Sequence, residues 1–216
     1  MTPRDWVVIL DFGSQYTKLI ARRMRELGVF SRIEAPDWRP SSRDHLPGAV
    51  VLSGGPQSVY DPGAPRPHPS LWTWDLPVLG ICYGMQWMAQ DLGGRVAPAP
   101  SQEYGPAELH VLEADELFAS LPQHFRVWMS HGDRVESPPP GFAVLASTED
   151  TPIAAMGDPQ RRRYGLQFHP EVSHTQFGRQ ILQNFLTRVA GLEPSWDLED
   201  FVSRTVQALR EPVGDR

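Results

Sequence analysis

The 216-residue chain is 40% hydrophobic and 21% charged, ordinary globular usage that excludes wholesale disorder. A formal net charge of −6 argues against a nucleic-acid footprint spread over the whole surface, while leaving room for a local basic patch. One cysteine excludes an intrachain disulfide and fits a reducing compartment, no stretch reaches the ~18 apolar residues of a spanning helix, and no signal-peptide pattern opens the chain; a soluble, cytoplasmic protein with neither nucleic-acid nor membrane partners is expected.

Trp6 to Asp11 is a β-branched run broken by Gly13-Ser14, the pattern of a buried strand ending at a loop. Leu19, Ile20, Met24 and Leu27 recur at helical spacing, and Gly28 is placed to stop that helix. Phe30 to Glu34 and Ala49 to Ser53 predict two more strands, so βαβ units and a parallel sheet are expected. The proline-rich stretch from Asp61 to Pro69 predicts an irregular loop. Pro77 to Cys82 predicts a strand and Tyr83 to Leu92 a helix, stopped at Gly93-Gly94. Short apolar segments follow at Leu109–Leu112, Phe125–Met129, Phe142–Ala146, Ile153–Met156 and Tyr164–Phe168, separated by Pro and Gly as in antiparallel or mixed strands, with a hairpin turn at Asp158-Pro159-Gln160. Helical spacing returns over Phe177–Val189, and a more polar helix is expected over Leu198–Leu209.

Three segments have the makings of an acyl-transfer site. Gly80-Ile-Cys82-Tyr-Gly84 lies between a predicted strand and a predicted helix, where a sharp turn projects a nucleophile and the helix N-terminus favours a thiolate; a buried structural cysteine is the alternative. In Gln167-Phe-His169-Pro-Glu171, residues i and i+2 at a strand end can face one side, pairing an imidazole base with a carboxylate that sets its tautomer; a surface His near a surface Glu is the alternative. Ser53-Gly54-Gly55-Pro56 ends a strand with amides free to converge on an anion, or is simply a turn. Nucleophile, oriented base and oxyanion donors together form a complete set.

These motifs resemble those of the class I (triad) glutamine amidotransferases. The likeness is carried by Asp11-Phe-Gly-Ser-Gln-Tyr-Thr17, Leu52-Ser-Gly-Gly-Pro56, Gly80-Ile-Cys-Tyr-Gly-Met-Gln86, Glu103-Tyr-Gly105, Val127-Trp-Met-Ser-His-Gly-Asp133 and Tyr164-Gly-Leu-Gln-Phe-His-Pro-Glu-Val-Ser-His-Thr175. The cysteine turn, the Ser-Gly-Gly-Pro turn and the His-Pro-Glu triplet are general to class I. The Asp11 opening, the Trp128–Asp133 segment and the His174-Thr175 pair resemble the glutaminase domains of the GMP synthetase branch.

The resemblance implies an α/β, flavodoxin-like fold: a mostly parallel central sheet flanked by helices, with a small antiparallel or mixed sheet. It implies an amidotransferase domain over residues 1–190 and a linker helix over 191–216 leading to an ATP-pyrophosphatase (synthetase) domain. It implies hydrolysis of L-glutamine through a cysteine thioester, with the ammonia passed on to convert XMP to GMP. Cys82 is then the nucleophile, His169 the base and Glu171 its orienter. The N–H groups of Gly55 and Tyr83 become the oxyanion donors. Gly54, Gln86, Ser130, His131, Gly132 and Asp133 become the glutamine contacts. No cofactor or metal is implied for this domain; ATP and Mg belong to the synthetase half, whose Ser-Gly-Gly-Val-Asp-Ser phosphate loop does not occur in the sequence. The expectation is a fragment of a fused enzyme, with a separate glutaminase subunit second. Other functional readings are a glutaminase serving a different synthetase and a γ-glutamyl hydrolase-type thiol enzyme. A silent regulatory domain needs a broken triad, and all three members are present.

Elsewhere, Arg161-Arg-Arg163 reads as a solvated turn, and Trp72 and Trp74 as packing residues. His174 and Thr175 are candidates for a partner interface or a loop role.

Overall fold

The computed structural model describes residues 5–113 and 115–197. Its elements are β1 (Trp6–Leu10), α1 (Thr17–Glu26), β2 (Phe30–Glu34), β3 (Ala49–Leu52), β4 (Val78–Ile81), α2 (Tyr83–Asp91), β5 (Arg95–Val111), β6 (His124–Ser137), β7 (Ala143–Ser147), β8 (Ala155–Asp158), β9 (Arg163–Leu166) and α3 (Gly178–Asn184), which runs on into a π turn at Phe185–Val189. The expected helix over Leu198–Leu209 lies outside the described residues.

The strands form one sheet in the order β2-β1-β3-β4-β9-β8-β7-β5-β6. The first five are parallel; from the β9–β8 pair onward the pairing is antiparallel. The α/β architecture expected from the sequence is therefore present, and the antiparallel part continues the parallel sheet through the β8–β9 hairpin.

Within the parallel half, β1, β3 and β4 are buried on both faces, while the edge strand β2 is not. Val7 and Ile9 of β1 pack with Ile20 and Met24 of α1 and with Ile181 and Leu182 of α3. The alternate residues Val8 and Leu10 join Met85, Met88 and Ala89 of α2 on the other face. Two covered faces explain why β1, β3 and β4 read as unbroken apolar runs rather than alternating ones. Gly28, at φ +78°, supplies the left-handed turn that ends α1.

The antiparallel arm departs from the expected short strands. β5 and β6 form a long ribbon that includes Pro98, Gly105 and Pro106, with a register shift between Pro98 and Glu103. Among the described residues, β5 pairs only with β6 from Arg95 to Leu109. No other described strand meets β5 there, so a missing proline N–H breaks no ladder on that side. The Arg161–Arg163 turn is internally paired: Arg161 bonds Asp158 at 2.7 Å, and the Arg163 guanidinium lies 4.4 Å from the Trp72 ring centroid. Trp72 stacks on Trp87 and Trp74 meets Trp38 edge-on, so both are packing residues. No helix among the described residues is long and apolar enough to cross a membrane.

Where β4 turns into α2, the chain crosses β3 at backbone contact. A β-carbon on Gly80 would sit 2.7 Å from the Gly84 carbonyl oxygen, and one on Gly84 would overlap the Leu52 carbonyl. Both glycines of the Gly-x-Cys-x-Gly motif are thus demanded by space. Gly84→Ala should cost about 1–3 kcal/mol of stability, as overpacking does, measured by urea denaturation; native stability would mean that the crossing has slack.

Candidate active site

Four loops at the carboxyl ends of parallel strands converge on one cleft of about 640 Å³. Open α/β sheets place ligands at this edge, where the strand order reverses direction. After β1 come Gly13, Ser14, Gln15 and Tyr16; after β3, Gly55 to Ser58; after β4, Cys82; after β9, His169. The β5–β6 arm closes the far side with Gln102, Tyr104 and Ser130 to Asp133.

Cys82 stands at φ +51° and ψ −108°, a strained backbone for a non-glycine residue. Its N–H bonds the Leu166 carbonyl at 2.7 Å, and the Gly84 N–H bonds the Ser53 carbonyl at 3.0 Å, so two neighbouring strands hold the turn. The thiol is 5% exposed, opens on the cleft and lies 3.5 Å from the Ser130 carbonyl.

The Nδ1 of His169 is 2.7 Å from Glu171 Oε1. An ionised carboxylate only accepts, so Nδ1 carries a proton and Nε2 is left for the thiol. The other Glu171 oxygen is buried and has no hydrogen-bond partner among the described residues. Burial of His169 opposes its charged form, but the Glu171 carboxylate, with hydrogen bonds to Cys82 and Glu171, outweighs that and pushes the ring up from 6.5 to about 10. The loop is clamped from several sides: His169 N–H donates to the Trp128 carbonyl, Thr175 Oγ1 donates to the His169 carbonyl at 2.6 Å, and Arg23 Nε donates to the Glu171 carbonyl at 3.0 Å. The Tyr16 ring meets the imidazole edge-on at 5.1 Å.

Gly55 lines the cleft. Gly54 is set behind it, where a β-carbon would lie 3.1 Å from His169 Cε1. The Tyr83 side chain points away, its hydroxyl on the Pro65 carbonyl, while its amide opens α2, where a helix has no intrahelical acceptor to offer. Gln86, 4% exposed, donates from Nε2 to the Asp133 carbonyl at 2.7 Å and to Gln167 Oε1 at 3.2 Å. With both amide hydrogens engaged, its oxygen is the polar atom left for the cleft. Ser130, Gly132 and Asp133 line the cleft, whereas the His131 side chain is turned inward, with Nδ1 3.0 Å from the Asp133 carbonyl.

A family model for class-I glutamine amidotransferases matches residues 8–189. The chain belongs to the class-I glutamine amidotransferase family. It is 53% identical over 210 residues to the GMP synthase (glutamine-hydrolyzing) of Thermus thermophilus, covering 96% of this chain and 41% of that protein. It is 46% identical over 217 residues to the enzyme of the same name from Syntrophomonas wolfei, covering 99% and 42%. The chain thus spans about two fifths of the length of these curated relatives. A Thermoplasma acidophilum protein described as a GMP synthase subunit shares the structure at TM-score 0.74 and 30% identity, over 94% of this chain and 96% of that one. A glutamine amidotransferase of Thermotoga maritima has the same fold at TM-score 0.71 and 18% identity, over 87% and 99% of the two chains.

The amidotransferase fold therefore brings Cys82, His169, Glu171, Gly55, Gln86 and Ser130–Asp133 into one place. Sequence reasoning gave no role to Tyr16, Gln102, Tyr104, Arg23 or Gln167. Tyr16, Tyr104 and Gln167 lie inside quoted motifs, so a signal existed for them; Arg23 is an ordinary helix arginine in sequence and acquires its partner only by folding.

Because its folded value is raised, His169 contributes stability that is full below pH 6.5 and is lost as pH climbs through about 10. Glu171→Gln removes the main source of that rise. Denaturant unfolding at pH 6.5 and pH 10 should show the variant losing less stability across this window than the native protein. An equal loss would mean that Glu171 is not the source.

Proposed function

We propose that this cleft hydrolyses L-glutamine to glutamate and ammonia. The observation that supports it most is the Cys82–His169–Glu171 set, with Nδ1 2.7 Å from the carboxylate and the thiol facing the same cleft as Gln86 and Ser130. Cys82 Sγ, its proton already taken up by His169 Nε2 in the ring that Glu171 keeps charged, attacks the side-chain amide carbon of glutamine. The oxygen's developing charge falls to the N–H groups of Gly55 and Tyr83. The C–N bond breaks, His169 returns the proton to the nitrogen, and ammonia leaves a glutamyl thioester. Water then adds, giving its proton to His169; the C–S bond breaks, and glutamate and the thiol are restored. Atoms and protons balance without a cofactor. Gln86 and the Ser130–Asp133 backbone hold the amino-acid end, with the Asp133 carboxylate available to the ammonium.

The ammonia is used to aminate XMP to GMP by an ATP- and Mg-using synthetase domain, in the same longer chain or in a partner subunit. This reading is supported by the relatives at 46–53% identity, which bear the name GMP synthase and are more than twice as long.

Cys82→Ala should abolish ammonia release from glutamine while the far-UV circular dichroism stays native; retained release would remove Cys82 from the chemistry. His169→Ala should lower kcat by roughly 10²–10⁴-fold, and Glu171→Ala by less, because Glu171 orients the base and favours its charge without itself carrying the proton. Equal or reversed losses would contradict those roles. An ammonia assay with and without a synthetase half loaded with XMP and ATP tests the coupling; unchanged release argues for another partner.

A further inference from the structure

A second carboxylate–imidazole pair, its imidazole buried and its carboxylate largely covered, lies on the β5–β6 arm and takes no part in the chemistry just described. Glu103 follows the register shift of β5 and lies opposite His131 on β6. The His131 side chain is 1% exposed, and its Nε2 is 3.3 Å from Glu103 Oε2. That same carboxylate oxygen accepts from Thr151 Oγ1 at 2.6 Å, and Oε1 accepts from Thr148 Oγ1 at 3.2 Å. The Thr151 N–H bonds back to Thr148 Oγ1, closing the connection between β7 and β8. Glu103 is thereby held by β6 and by the β7–β8 connection.

From His131 the network continues to the cleft. Nδ1 faces the Asp133 carbonyl, which also accepts from Gln86, and the Ser130 carbonyl on the other side of His131 faces the Cys82 sulfur. Gly132 between them has no side chain to anchor it, so the path of this segment depends on how its neighbours are held. A largely covered pair with both carboxylate oxygens engaged is stiff, and removing a partner leaves a polar group unpaired.

We propose that Glu103 is a positioning residue for substrate binding: through His131 it fixes the Ser130–Asp133 backbone in the shape that receives the amino-acid end of glutamine. The proposal rests on the glutaminase reading above. Burial raises Glu103, yet hydrogen bonds from His131 and Thr151 outweigh it and hold the carboxyl below its usual range, so the anion persists in the folded protein.

The test uses the sole cysteine, since alkylation by iodoacetamide then reads Cys82 alone. The measured quantity is the glutamine concentration that halves the alkylation rate. Glu103→Gln should raise it roughly tenfold and Thr151→Val roughly threefold, while alkylation without glutamine stays within about twofold of native. Native protection in a folded Glu103→Gln protein overturns the proposal; should that variant not fold, native protection in Thr151→Val does so. It is also overturned if alkylation slows in step with lost protection, since the pair would then act on Cys82 itself. If glutamine fails to protect the native protein, the glutaminase reading falls first and this inference with it.

Discussion

The backbone at Cys82 is held where an L-residue gains nothing locally, and the surrounding contacts are what keep it there. A left-handed φ with ψ −108° costs of order 1–3 kcal/mol. The compensation is spread over the crossing of β4 and α2 on β3: Gly80 and Gly84 at backbone contact, and hydrogen bonds from Cys82 to Leu166 and from Gly84 to Ser53. Relaxing the turn would break bonds to two strands and open the packing beneath α2. The nucleophile is presented by rigidity that comes from the sheet, and the first amides of α2 come with it.

The same sheet decides which groups meet. β9 lies beside β4 in parallel register, Gly80 opposite Gly165 and Ile81 opposite Leu166. Residues leaving the two strands therefore emerge side by side, and the thiol and the imidazole are neighbours although 87 positions separate them. α1, packed over β1, sends Arg23 to the Glu171 carbonyl and carries Tyr16 near its start, against the His169 ring. The loops have little freedom because each is tied to an element other than its own.

The two halves of the sheet divide the labour. The parallel half, its inner strands covered on both faces, holds the reacting groups and keeps His169 and Glu171 out of water, which strengthens their mutual attraction. The antiparallel arm is a ribbon with an open edge over much of its length, and it presents the backbone of Ser130–Asp133. A ribbon of that kind needs internal ties to keep one shape, and the Glu103–His131–Thr151 cluster lies where the arm faces the thiol. Binding of the substrate's amino-acid end and chemistry at its amide thus draw on separate parts of the fold.

β2 could be read from the sequence to the residue, and β1, β3, β4, α1 and α2 to within a few positions, because β1, β3 and β4 are unbroken apolar runs, both helices bury apolar residues at helical spacing and stop at Gly28 and Gly93, and β2 ends before Pro36. The triad was legible for a related reason: a cysteine between two glycines and a His-x-Glu at a strand end carry their chemistry in local spacing. The length of β5 and β6 was not legible, since Pro98, Gly105 and Pro106 signal breaks unless one knows that the strand edge beside them is open. Nor could sequence show that the His131 side chain turns inward to Glu103, or that Arg23 reaches Glu171. Those partners lie 28 and 148 positions apart, and only the sheet order, set by burial of the whole chain, brings them within hydrogen-bond distance.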